Sequence, residues 1–107
     1  METVEEIQNQ SAEREENSQS AFNHAIDLLT EFQEKHDKVI LLKAAHKLVE
    51  SIRLEKNQIE PYFLLAYIFY ILDNGKLALK YLKVAELIDP NFLEIKKLKS
   101  IILGIIL

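Results

Sequence analysis

Apolar residues recur at spacings of three and four along most of this 107-residue chain, with polar residues between them. That period places the apolar side chains on one face of a helix, because an α-helix turns once in about 3.6 residues. The pattern predicts about five helices, over residues 20–35, from about 38 to 52, 60–72, 76–88 and from 91 onward. Since only two glycines and two prolines interrupt the chain, we expect an all-α fold.

Local signals predict where these helices begin and end. Asp37 is suited to cap the second helix, and Pro61 suits the first turn of the third, where its missing N–H is not needed. The tripeptide Asp73-Asn74-Gly75 is the clearest turn, because Asn and Gly tolerate positive φ angles. Asp89-Pro90 should end the fourth helix, since the residue before a proline avoids helical angles.

The second half of the chain shows an internal repeat of 34 positions. Asn57 and Asn91 are each expected to cap a helix, an aliphatic residue stands two positions after each, and Glu60 and Glu94 follow where a carboxylate can bond back to the cap. The same offset relates four further pairs: Ala44 and Ala78, Leu48 and Leu82, Ser51 and Ala85, and Leu54 and Ile88. A fixed period of this length indicates paired helices arranged as repeats.

The repeat resembles the tetratricopeptide repeat (TPR) family. Eight positions carry the resemblance: Tyr62, Leu65, Ala66, Phe69, Ala78, Leu82, Ala85 and Pro90. It implies antiparallel helical hairpins stacked as a short TPR-like solenoid, with a divergent repeat over 20–57, a well-matched repeat over 58–91 and a capping helix over 92–107. The helical domain would thus cover 19–107, and 1–18 would form an acidic tail that is disordered or weakly helical.

Charge and cysteine content narrow the classes of partner. Six glutamates and one arginine fall within residues 1–20, so the net charge of −4 belongs to that segment. No basic patch is concentrated enough to bind a phosphate backbone, so no nucleic-acid partner is expected. The chain has no cysteine, which fits a reducing compartment and leads us to expect the cytoplasm. No secretory signal or membrane span is predicted, and membrane association is not the favoured interpretation.

No constellation of catalytic groups is evident. His24, His36 and His46 do not form a two-histidine metal motif, and Gly75 and Gly104 stand alone rather than in a phosphate-binding loop. The carboxylates share helix faces with lysines, which is typical of solvated surface. We therefore expect no enzyme activity, no metal and no cofactor.

The resemblance implies a peptide-binding groove lined by the first helix of each repeat. The expected groove residues are Glu60, Phe63, Tyr67, Tyr70 and Ile71. Phe63 and Tyr67 stand where carboxylate-binding members have lysine and asparagine, so we expect an apolar or amphipathic peptide instead. A helix that is apolar all round can equally be plain core.

Two functional hypotheses follow. The first is a protein–protein interaction module, acting as adaptor, scaffold or small chaperone. The second is a self-assembling structural module whose groove and C-terminal helix form a homodimer. Ile95, Leu98, Ile102 and Ile105 are expected to form the core stripe of the last helix, and the terminal run "SIILGIIL" carries further aliphatic residues that fall off this stripe or at its edge. The expected oligomer contacts are Ile101, Leu103, Ile106 and Leu107.

Overall fold

The computed structural model describes residues 3–104, and within them every regular element is an α-helix. The helices are α1 Val4–Lys35, α2 Lys38–Leu54, α3 Ile59–Ile71, α4 Gly75–Ile88 and α5 Leu93–Leu103. The all-α prediction is confirmed. The chain divides into two compact units, Met1–Lys56 and Asn57–Leu107. The stacking of successive hairpins as a solenoid stays a prediction.

The first unit is an antiparallel hairpin of α1 and α2 joined at His36 and Asp37. At its far end Ser18 Oγ donates to the carbonyl of Ser51, and Ser51 Oγ donates to the carbonyl of Ser18, each at 2.9 Å. Both serines are fully buried. Small side chains on the facing stripes, including Ala21, Ala25 and Ala44, are buried as well, so the two helices pack closely.

The first helix begins at Val4, not near Ser20 as the apolar pattern suggested. Thr3 and Glu6 form a capping box, in which the Thr3 side chain accepts from the Glu6 N–H and the Glu6 carboxylate accepts from the Thr3 N–H. No glycine or proline interrupts residues 3–35, so a capped helix can propagate through polar sequence. Residues 3–17 are exposed throughout.

The second unit packs α3, α4 and α5 around its own core. The buried core residues are Ala66, Leu82, Ala85, Ile95 and Leu98. Two ring contacts flank this core: Phe69 stacks on Tyr81 and Phe63 meets Phe92 edge-on, with ring centroids 5.6 Å apart in each pair. The core thus joins one residue of α3 with residues of both later helices.

Two of the predicted helix starts are confirmed in their chemistry. Asp37 caps α2, its carboxylate accepting from the Val39 N–H at 3.0 Å. Pro61 lies in the first turn of α3. Asp89 follows the last residue of α4 and adopts an extended conformation, as a residue before proline should.

Other predicted helix starts, and the residue roles in one turn, are wrong in detail. Asn57 and Asn91 do not cap α3 and α5; those N-caps are Gln58 and Phe92, whose side chains make no capping hydrogen bond. In the turn after α3, the left-handed residue is Asp73, with a φ of 61°. Asn74 instead caps α4, and its side chain accepts from the Leu77 N–H at 3.1 Å.

The last helix ends at Leu103, and Gly104, with a φ of 70°, is the C-cap of α5. Of the predicted apolar stripe, Ile95 and Leu98 are buried and Ile102 is half-buried against the core. Ile105, the fourth member, lies outside the described residues. The part of the terminal run that the structure describes therefore contributes Ile102 to the core.

Candidate interaction surface

The face of α3 opposite its buried side is aromatic. Phe63, Tyr67 and Tyr70 follow one another at spacings of four and three, which places them on one face of the helix. Leu65 and Ala66 are fully buried, whereas Tyr67 is 41% exposed and Tyr70 is 40% exposed. Because residues 61–72 carry no charge, α3 has no polar face, and any side that its neighbours leave open presents apolar groups to solvent.

Helix α5 supplies the other wall of this surface. A shallow depression of about 220 Å³ lies between the two helices, lined by Phe63, Tyr67, Glu94, Lys97, Leu98 and Ile101. Ile101 is 55% exposed. Phe63 and Lys97 are 34 positions apart, as are Tyr67 and Ile101. The depression thus brings together positions that the repeat register relates. We call these six residues, with Tyr70, the α3/α5 surface.

The structure separates the predicted groove residues into two sets. Phe63 and Tyr67 line the depression, and Tyr70 lies one turn further along the same face of α3. Glu60 is exposed and Ile71 is half-buried, and neither is among the residues that line it. Glu94, Lys97 and Leu98 were not predicted as site residues; the offset of 34 applied to the α3 positions would have indicated the first two.

The predicted oligomer contacts also fall in different places. Ile101 belongs to the α3/α5 surface, together with the predicted groove residues Phe63 and Tyr67. Leu103 lines a separate depression of about 400 Å³ between α4 and α5, beside Leu79 and Lys83. Ile106 and Leu107 lie outside the described residues.

Helix α2 carries an exposed apolar stripe that was not predicted from the sequence. Val39 and Leu42 are 55% and 52% exposed, and Leu42, Ala45 and Val49 line an open depression along that helix. The sequence does contain this second stripe. Helix α2 has two apolar stripes, and only the one through Leu41, Ala44 and Leu48, which is buried, can face α1.

The electrostatics of the second unit are mild. Partial burial raises the pKa of Tyr62 above its ordinary value of 10.0, and the neighbouring Tyr81 raises it further. Glu94 and Lys97 place one charge of each sign at the rim of the α3/α5 surface. No buried side-chain nitrogen or oxygen within residues 3–104 lacks a hydrogen-bond partner.

The histidines were the other chemical candidates in the sequence. His24 and His46 line one depression between α1 and α2, together with Glu50. Within the described part of the chain, no group of three or more His, Cys, Asp or Glu residues is placed to hold a metal ion. What the second unit offers is an apolar contact surface with a charged rim, an arrangement that can bind a partner.

Comparison of the chain with protein-family models, with curated proteins and with solved structures gives no match. Among residues 3–104, no helix is long and apolar enough to cross a membrane.

Proposed function

We propose that this protein is a non-catalytic protein–protein interaction module, an adaptor, scaffold or small chaperone, that binds an amphipathic helix of a partner on its α3/α5 surface. We assign it to the cytoplasm on its cysteine-free sequence. No cofactor and no nucleic acid take part in this proposal. The partner presents an apolar stripe, and its polar face stays in solvent.

The observation that carries the proposal is the exposure of Tyr67, Tyr70 and Ile101 on adjoining helices. Tyrosine is enriched where proteins bind one another, since its ring buries a large apolar area and its hydroxyl keeps a polar contact. The depression of about 220 Å³ is large enough for one bulky side chain of a partner helix. Binding of a helix by such anchors is a recurring mode of peptide recognition.

The packing of the second unit supports a TPR-like assignment for the repeat. Leu65, Ala66, Ala78 and Ala85 are fully buried, and Phe69 stacks on Tyr81. Small residues at these positions let helices approach closely while large ones fill the space between. In the family that the sequence resembles, such a unit presents the first helix of each repeat to a ligand, which corresponds here to α3 and α5.

A selection of helical peptides on the intact chain tests the proposal. Peptides with apolar residues at spacings of three and four should bind, and Tyr67→Glu or Ile101→Glu should weaken their binding at least about tenfold, because a buried interface does not accept an unpaired carboxylate. Fluorescence anisotropy gives the dissociation constants. Thermal melting confirms that each variant is folded.

Leu87→Glu is the matched control. Leu87 is 76% exposed on α4 and lies outside the α3/α5 surface, so the same change in charge should leave peptide affinity within about twofold. Equal losses in all three variants would contradict the proposed surface, and failure to select any helical peptide would contradict the proposed function.

Self-assembly is the second candidate function, favoured by the exposed aliphatic residues of α5. Ile101 and Leu103 are each about half exposed, and a homodimer could cover them. Light scattering separates the two candidates. An apolar dimer should persist at high salt and dissociate in the Ile101→Glu variant. A chain that is monomeric at high salt would support partner binding as its function and contradict apolar self-assembly.

A further inference from the structure

The outward face of α4 is a row of lysines. Lys76, Lys80 and Lys83 follow at spacings of four and three, and Leu87 ends the row one turn later. These positions fall within about 60° of one another around the helix axis, and all four side chains are exposed. We call them the α4 basic face.

No ion pair given by the described residues, 3–104, involves Lys76, Lys80 or Lys83; ion pairs are formed by Lys35, Lys47 and Lys99. In the second unit Lys99 pairs with Glu86 at 3.8 Å, and Glu86 lines the same depression as Lys83, about 60° from it around the helix. The face thus carries three positive charges with one carboxylate at its edge, and it presents a net positive potential to solvent.

The opposite charge is concentrated on the first part of α1. Since Ser18 pairs with Ser51 and α2 ends at Leu54, roughly eleven residues at the start of α1, about 16 Å, have no helix beside them within the first unit. Glu5, Glu6 and Glu13 fall within about 100° of one another on this segment, and Glu16, two residues beyond it, lies on the same face. We call these four residues the α1 acidic face.

The two faces are opposite in sign and similar in length. Glu5 to Glu16 spans eleven residue steps, about 16 Å of helix, and Lys76 to Lys83 spans seven, about 10 Å, with the uncharged Leu87 one turn beyond. Residues 3–17 are exposed, so no described residue of the same chain covers the acidic face. The capping box of Thr3 and Glu6 holds the start of α1 in helical form, which reduces the ordering needed on contact.

We propose that the α4 basic face docks the α1 acidic face of a second copy of this chain. The contact joins two different surfaces, so it is heterologous, and every copy offers both. Because the charges lie at the surface, the association is weak and depends on salt. This contact uses none of the residues of the α3/α5 surface and is independent of the proposed function.

Sedimentation equilibrium of the intact chain at two salt concentrations is the first measurement. At about 10 mM salt, where the Debye length is about 30 Å, the weight-average mass should rise with protein concentration. At about 1 M salt, where that length is about 3 Å, the mass should be that of a monomer. A monomer under both conditions would overturn the proposal.

Charge reversal then assigns the contact to these faces. Lys80→Glu with Lys83→Glu should weaken association about tenfold or more, as should Glu13→Lys with Glu16→Lys. The four changes together restore opposite charges across the contact and should recover association. Failure of this recovery would overturn the assignment, because a non-specific charge effect would not be reciprocal.

Matched controls change the net charge equally at exposed positions elsewhere. Lys38→Glu with Lys43→Glu repeats the first change on α2, and Asp27→Lys with Glu34→Lys repeats the second on the paired part of α1. Both controls should associate like the wild type within about threefold. Association that survives high salt and is lost in Tyr67→Glu would arise from the α3/α5 surface and would also overturn the proposal.

Discussion

At the scale of single residues, the buried pair Ser18 and Ser51 sets how closely α1 and α2 approach. Each hydroxyl donates to the partner residue's carbonyl, and the two hydroxyl oxygens lie 3.0 Å apart. Neither side chain has any exposed area. A serine is small enough for close helix contact and satisfies its own hydroxyl there, so this pair fixes the end of the hairpin far from the turn.

Ser18→Leu should therefore destabilise the protein by about 1–3 kcal/mol, because a larger side chain has no space at this contact. The free energy of unfolding from urea denaturation measures the effect. Ser20→Leu is the control, since Ser20 is exposed two residues further along α1 and should shift the free energy by no more than about 0.5 kcal/mol. Equal effects at both positions would contradict the observed pairing.

Ala85→Leu tests the core of the second unit in the same way. Ala85 is fully buried among Ala66, Leu82 and Ile95, so overpacking should lower the free energy of unfolding by about 1–3 kcal/mol. Ala12→Leu makes the same substitution at an exposed helical position and should be nearly neutral. An unchanged melting temperature in Ala85→Leu would show that the repeat register is wrong.

We expect the protein to lose stability at alkaline pH because the pKa of Tyr62 is raised. Its pKa is raised in the folded protein by burial and by Tyr81, so the folded state binds the proton more tightly than the unfolded state. The resulting stabilisation is present below pH 10 and is lost as pH rises through the raised pKa. Urea unfolding at about pH 9, 10 and 11 should show a steeper decline for the wild type than for Tyr62→Phe; parallel declines would contradict the shift.

At the scale of elements, a capping side chain determines how much a residue at a helix start contributes to stability. Asn74→Ala removes the acceptor for the Leu77 N–H and should destabilise the protein by about 0.5–2 kcal/mol. Asn91 looks equally suited to cap a helix in the sequence, but α5 begins after Phe92. Asn91→Ala should cost less than about 0.5 kcal/mol, and the difference between the two variants in urea unfolding checks the correction.

Helix α1 shows why its length could not be predicted from the apolar pattern. Residues 4–17 contain few apolar groups, and a segment that buries nothing gives no periodic signal. The capping box and the absence of breakers determine its conformation instead, and both could have been noticed as Thr3, Glu6 and a run without glycine or proline. The helical boundaries from Lys35 to Ile88 were predictable to within about two residues, because there periodicity and turn residues agree.

At the scale of the whole molecule, the repeat register was predictable and the surfaces were only partly so. The offset of 34 relates the buried Ala44, Leu48 and Ser51 of α2 to the buried Ala78, Leu82 and Ala85 of α4. It could not tell which of the two apolar stripes of α2 would remain exposed, since that depends on which side a neighbouring helix covers. For the same reason Leu103 and Ile101, both off the core stripe, could not be assigned to different depressions from the sequence.

The distribution of charge is a second property of the whole chain. Acidic residues lie on the exposed start of α1 and a row of lysines lies on α4, so two parts of the chain carry potentials of opposite sign that its net charge of −4 conceals. Any measurement of partner binding should therefore be made at more than one salt concentration. An apolar contact on the α3/α5 surface should vary little with salt, which separates it from a contact made by these charges.

The central claim is that the α3/α5 surface is where a partner helix binds, and an NMR footprint tests it most directly. Titration of the isotope-labelled chain with a selected amphipathic peptide should shift the backbone amide signals around Phe63, Tyr67, Lys97 and Ile101 more than any others. The signals of α2 around Leu42 and Val49 should stay in place. Shifts concentrated on α2 or on the α4 basic face, with Tyr67 and Ile101 unchanged, would contradict the account.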